Sequence, residues 1–177
     1  PFAPYAGPNG WNDPDMLEVG VGGGMTHAEQ QAHFALWAMM AAPLIAGNDL
    51  RRMSDATLAL LTNPEVIAVD QDELGLQGVP VRFELDGLSP SHSIWYKPLN
   101  ESGARAVLLL NATSTTAELG FELEEVGLGE GRATVRNLLA REDLEPIDDA
   151  FRTSVPGHDA VMLRVLGNEP AVPRGAT

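Results

Sequence analysis

The chain has 177 residues, 25 acidic against 11 basic, and no cysteine, so its net charge is −14. That balance excludes a nucleic-acid surface as the default, because phosphate binding needs a clustered basic face, and it disfavours attachment to an anionic membrane. The missing cysteine excludes a disulfide scaffold and a thiolate metal site, without fixing the compartment. In chain order, Asp15–Val19 reads as a short strand that stops at Gly20–Gly24. Thr26 and Glu29 form a capping box for a helix reaching about Ala42, where Pro43 stops it. Leu44–Ala46 reads as a short buried strand ending at Gly47-Asn48-Asp49. Ser54 caps a second helix to about Leu61, and Glu65–Asp70 reads as a third. This β-α-β-α order predicts a parallel sheet with crossover helices, too small to be a complete fold.

The character changes near Gly78. Short β-type runs follow at 79–85, 93–98, 104–111, 117–124, 133–137, 151–155 and 159–166, separated by Gly-containing turns. Their number and spacing predict an antiparallel sandwich. Val107–Leu110 is wholly apolar, which predicts a central buried strand. No apolar run approaches the ~20 residues of a membrane-spanning helix. The chain opens on Pro1 rather than Met, which predicts a piece of a longer protein. Residues 168–177 are rich in Pro and Gly and are expected to fray.

The densest chemical cluster is Trp11-Asn12-Asp13-Pro14-Asp15-Met16-Leu17. On a strand, Trp11, Asp13 and Asp15 share one face. A tryptophan ring beside carboxylates suits a sugar, covering C–H faces while the carboxylates accept from hydroxyls. The plainer reading is a polar turn started by Asp13-Pro14. Gly20-Val21-Gly22-Gly23-Gly24 has the setting of a dinucleotide loop, but Met25 stands where the third glycine belongs. Asn48-Asp49 lies at the functional end of a parallel sheet, yet Asp49 with Arg51 or Arg52 is equally a structural ion pair. His27 and His33 are six apart and do not share a helix face, and His92 and His158 add no metal spacing, so no metal or other cofactor is expected. Trp37, Met39 and Met40 read as helix-packing residues. Trp95-Tyr96 reads as a sugar platform or a strand pair. Asn100-Glu101-Ser102 and Asn111-Ala112-Thr113 match the N-glycosylation pattern, which matters only if the parent protein is secreted by a eukaryote.

The stretch GPNGWNDPDMLEVG resembles the α-galactosidases (melibiases) of glycoside hydrolase family 27. The likeness continues through HFALWAMMAAPLIAGNDLRRM and NPEVIAVDQDELGLQG and covers the first 78 residues. SIWYKPL, ARAVLLLN and TSVPGHDAVMLRV follow in the order of the family's C-terminal β domain. The resemblance implies an α/β plus all-β fold: the last two βα units of a (β/α)8 TIM barrel, then an antiparallel β-sandwich domain. It implies residues 1–77 as an incomplete barrel portion and 78–167 as the sandwich, which leaves the Pro- and Gly-rich 168–177 as the disordered tail.

The family cleaves terminal α-galactosides with retention through two aspartates about 5–5.5 Å apart. Those aspartates lie on earlier barrel strands, so no catalytic residue is assigned in this chain, and the chain alone is expected to be inactive. By position, the resemblance implies Asp15 and Met16 as substrate-binding residues, with Trp11 and Asp13 supporting them. Its implied partner is an α-galactoside oligosaccharide or glycoconjugate, with self-association through the exposed barrel faces. The sequence departs from the family's Gly-Asn-Gly-Gly at Gly20–Gly24 and from QDPLG at Glu73. Related specificities, α-N-acetylgalactosaminidase and β-L-arabinopyranosidase, stay open, as does a non-catalytic carbohydrate-binding or structural β module.

Overall fold

A computed structural model describes residues 2–170. Its helices form where capping residues and periodicity place them. Helix α1 spans His27–Met40, with the Glu29 N–H donating to Thr26 Oγ1 and the Thr26 N–H donating to the Glu29 carboxylate at 2.7 Å. It ends in Ala41, a left-handed residue at φ 51°, just before Pro43. Helix α2, Asp55–Leu61, is capped by Ser54. Helix α3, Pro64–Asp70, is capped by Asn63 and starts on a proline, whose missing N–H costs nothing at that position.

The parallel pairing is smaller than expected. The Leu17 N–H donates to the Ile45 carbonyl at 2.8 Å, and the Gly47 N–H donates to the Leu17 carbonyl at 3.0 Å, making one parallel bridge between Leu17 and Ala46. Neither Asp15–Val19 nor Leu44–Ala46 is a strand. Asp15 sits at φ 86°, which no strand residue adopts. Ile45 is 53% exposed, so the second segment is not buried either. A parallel strand keeps its ladder only with neighbours that bond its alternating groups, and here each segment has one short neighbour.

The rest is antiparallel. Strands β1 (Val79–Asp86), β2 (Ser89–Pro98), β3 (Ala104–Asn111), β8 (Asp159–Leu166), β5 (Arg132–Asn137) and β6 (Glu142–Asp148) form one sheet in the order β1-β2-β3-β8-β5-β6. Strands β4 (Ala117–Glu122) and β7 (Ala150–Val155) form a second, covering sheet. Strand β6 has no counterpart in the sequence reading. Its residues Glu142, Asp143, Glu145, Pro146 and Asp148 mask it, and acidic residues with a proline are what an edge strand tolerates. Strand β2 begins at Ser89 rather than Ser93, and a 3₁₀ turn at Leu123–Val126 ends β4 early.

Both faces of the large sheet are covered, which explains the unbroken apolar run in β3. Ala106 and Leu108, with Ala160 and Met162 of β8, join one core with Phe34, Ala35, Ala38 and Met39 of α1. Val107 and Leu109, with Leu163 and Val165, face the second sheet and pack with Phe121, Phe151 and Val155. The period-two alternation therefore divides two cores rather than core from solvent.

Polar ties lock α3 to the sheet. The Asn63 amide donates to the Leu138 carbonyl at 2.9 Å, and Arg136 of β5 makes a two-pronged pair with Glu65 at 2.7 and 2.8 Å. Lys97 of β2 is 0% exposed, and its ammonium donates to the Val69 carbonyl at 2.5 Å, at the C-terminal end of α3 where a cation is favoured. At the far end, Glu169 pairs with Arg105 at 2.9 Å, while the Asn168 amide donates to the Glu130 carbonyl at 3.0 Å. The remainder of the expected frayed end, 171–177, lies outside the described residues.

Candidate functional site

The Trp11–Leu17 cluster is a turn, not one face of a strand. Proline at 14 removes a backbone donor, and the Asp13 carboxylate supplies a local acceptor: the Asp15 N–H donates to it at 2.9 Å. Asp15 takes the left-handed conformation, and one of its own carboxylate oxygens accepts from the Met16 N–H at 2.7 Å. The Trp11 ring lies close to Gly75. A side chain on Gly75, itself at φ +60°, would come within 3.3 Å of the Trp11 ring and of Pro8. Asn12 ties the segment to the start of the sandwich, donating to Gln77 at 2.7 Å. Asp13, Asp15 and Met16 are all exposed, Met16 by 46%.

Three side chains of α1 hold this segment from behind. Trp37 Nε1 donates to the Asp15 carbonyl at 3.0 Å. His33 Nε2 accepts from the Glu18 N–H at 3.1 Å. Gln30 accepts from the Gly20 N–H at 3.1 Å. The imidazole and indole lie 3.8 Å apart, centroid to centroid. Burial holds the His33 ring below its ordinary pKa, against the pull of the Glu18 carboxylate. From the sequence alone, Trp37 reads as a packing residue and His33 as a histidine without metal spacing. Their spacing by four was the available signal, but it does not say which backbone they meet.

Beside the turn, Gly47 packs so closely that an added Cβ would sit 2.8 Å from the Leu17 carbonyl oxygen. Next to it, the Asn48 amide is buried with neither polar atom bonded among the described residues. Asp49 resolves to the structural alternative: it caps the 3₁₀ turn Leu50–Arg52 and pairs with Arg51 at 2.9 Å, which lowers its pKa.

The other candidates take structural roles. At the α1 N-terminus, where a phosphate beside Gly20–Gly24 would bind, the Thr26 and Glu29 N–H groups are already engaged by the capping box, and the Glu29 carboxylate occupies that end. Trp95 packs with the helical core and Tyr96 with the sandwich core, so the adjacent rings point to opposite faces and form no joint platform. Asn111 is 0% exposed and its amide donates to the carbonyls of Thr115, Val155 and Pro156, so this match to the glycosylation pattern is a buried turn anchor. Asn100 is exposed. Among the described residues, no group of three or more His, Asp or Glu side chains is placed to hold a metal ion.

The turn and its three helical supports thus sit on a helical segment with a single parallel bridge, docked on an unequal antiparallel sandwich. Residues 1–72 match the α-galactosidase A family model, and residues 89–165 match that of the α-galactosidase C-terminal β-sandwich domain. The chain belongs to the melibiase (α-galactosidase) family. It is 43% identical to α-galactosidase 3 of Arabidopsis thaliana over 90% of this chain and 36% of the relative. Among solved structures it resembles α-galactosidase I of Mortierella vinacea with TM-score 0.86 and 28% identity, over 96% of this chain and 43% of the other. It also resembles a family 27 β-L-arabinopyranosidase of Geobacillus stearothermophilus, with TM-score 0.82 and 29% identity, over 99% of this chain and 40% of the other. The chain thus spans less than half the length of these relatives.

Proposed function

We propose that this chain is the C-terminal part of a retaining α-galactosidase. Residues 1–77 form the last two βα units of its (β/α)8 barrel, and residues 78–167 form its β-sandwich domain. The nucleophile and acid/base aspartates belong to the preceding part of the barrel, so this chain alone does not turn over substrate. Asp15 and Met16 contact the terminal galactose, with Trp11 and Asp13 holding the turn that carries them.

The carrying observation is the pinned, outward-facing Asp15–Met16 pair. One Asp15 oxygen is used by the Met16 N–H; the other makes no hydrogen bond among the described residues and can accept from a sugar hydroxyl. The exposed Met16 side chain offers apolar cover to a C–H face of the ring. Exposed Ile45 and the unpaired Asn48 amide beside the pair support further chain packing there in the complete hydrolase.

The likeness to an arabinopyranosidase favours a second specificity within the same reading, because galactose and arabinopyranose share the ring stereochemistry and differ at the exocyclic carbon. Initial rates of the full-length gene product on aryl α-galactoside, aryl α-N-acetylgalactosaminide and aryl β-L-arabinopyranoside separate these cases. The α-galactoside is expected to be the best substrate. Absence of turnover on all three overturns the hydrolase proposal.

A further inference from the structure

We infer that Trp37 and His33 are positioning residues for the Asp15–Met16 pair: one stripe of α1 fixes the turn that meets the sugar, and His33 does so only as the neutral ring protonated at Nδ1. This rests on the sugar-contacting role proposed above for Asp15 and Met16.

Gln30, His33 and Trp37 are spaced i, i+3 and i+7, so they lie along one face of the helix. They meet the backbone of Gly20, Glu18 and Asp15 in turn, so the segment runs back along the helix and is held at three points. The hold matters most at Asp15. A left-handed aspartate is uncommon and persists only when its surroundings fix it. The Asp13 carboxylate fixes its N–H and the Trp37 indole fixes its carbonyl, so the peptide planes on both sides of Asp15 are held. Those two planes set where the Asp15 carboxylate and the Met16 side chain point.

His33 adds a protonation requirement. Its Nε2 accepts from the Glu18 N–H, so the ring proton is on Nδ1. A second proton would set two donors against each other and release Glu18. The charged group facing the ring is the Glu18 carboxylate, which favours the protonated form; burial between Trp37 and the turn opposes it and prevails. Acid therefore loosens the turn, and the loss falls on sugar binding rather than on the chemical step.

The test uses the full-length gene product with an aryl α-galactoside. Trp37→Phe keeps a ring but removes the donor; His33→Gln keeps an acceptor that does not titrate. Trp37→Phe is expected to raise KM about fivefold with kcat nearly unchanged, the size of one lost hydrogen bond. KM of the unmodified protein is expected to rise on acidification below the ordinary imidazole range, and that rise is expected to be absent in His33→Gln. Amide hydrogen exchange at residues 16–20, read on the same proteins, follows the hold without reference to activity. If His33→Gln keeps the unmodified pH profile and exchange pattern, the inference is overturned, whether or not Trp37→Phe folds. If exchange responds as expected while KM does not, the stripe holds the turn but the sugar-contacting reading of Asp15 and Met16 fails.

Discussion

Replacing Lys97, the single lysine of the chain, by methionine is expected to destabilise the protein by about 3 kcal/mol. The side chain is fully buried, so methionine fills most of its volume and the cost is electrostatic. Two losses add. The Val69 carbonyl, bonded at 2.5 Å, is left unpaired inside the core, at about 1–3 kcal/mol. The half-buried Asp70 carboxylate, one of whose oxygens has no hydrogen bond, loses its neighbouring charge. Relief of burying the ammonium, whose pKa is lowered by desolvation, offsets part of this.

Asp70 behaves oppositely. Burial pushes its pKa from 3.8 up to about 6 in spite of Lys97. Its folded pKa lies above the unfolded one, so its favourable contribution is complete below about pH 3.8 and is lost as pH rises through about 6. Discounted for solvent screening, that loss is about 1–2 kcal/mol. Asp70→Asn is therefore expected to stabilise the protein by that amount at neutral pH, and to recover part of the loss in a Lys97→Met background. Urea unfolding of the 177-residue chain, followed by circular dichroism, measures all four corners of the cycle. A Lys97→Met change within about 0.5 kcal/mol of zero, the range of an ordinary surface substitution, would mean that the buried ammonium stabilises neither the Val69 carbonyl nor Asp70.

Asn63→Ala is expected to cost about 2 kcal/mol in the same assay, since it removes the α3 cap and the buried bond to the Leu138 carbonyl. Glu65 has its pKa lowered by Arg136, so its contribution is present above about pH 4.5 and is lost on acidification below that; Glu65→Gln is expected to flatten the acid limb of a stability–pH curve. The exposed Met16, Ile45 and Leu50 support self-association of the isolated chain, which sedimentation would show as a mass rising with concentration. A fixed monomer mass would remove that partner.

Local signals were legible where the physics is local. Thr26 with Glu29, Ser54 before α2 and the Pro43 stop all act within a few residues and sit where the sequence places them. Val107–Leu110 showed a strand covered on both faces, but not that a helix covers one of them. The charges of β6 concealed an edge strand. The site was legible as a cluster and illegible as a geometry. Strand alternation puts Trp11, Asp13 and Asp15 on one face, whereas Pro14 and the Asp13 carboxylate, which accepts from the Asp15 N–H, favour a turn in which that alternation does not hold. His33, Trp37 and Lys97 serve backbone atoms 15 to 28 positions away, and no spacing rule reaches that far.

Contact between Asp15 and the sugar is read most directly from kcat/KM of the full-length gene product and of its Asp15→Asn variant on an aryl α-galactoside. Asparagine keeps the size and an oxygen for the Met16 N–H but removes the charge that accepts from hydroxyls. A loss of at least about tenfold is expected, the scale of one charge-assisted hydrogen bond. Activity of Asp15→Asn within about twofold of the unmodified protein would contradict it.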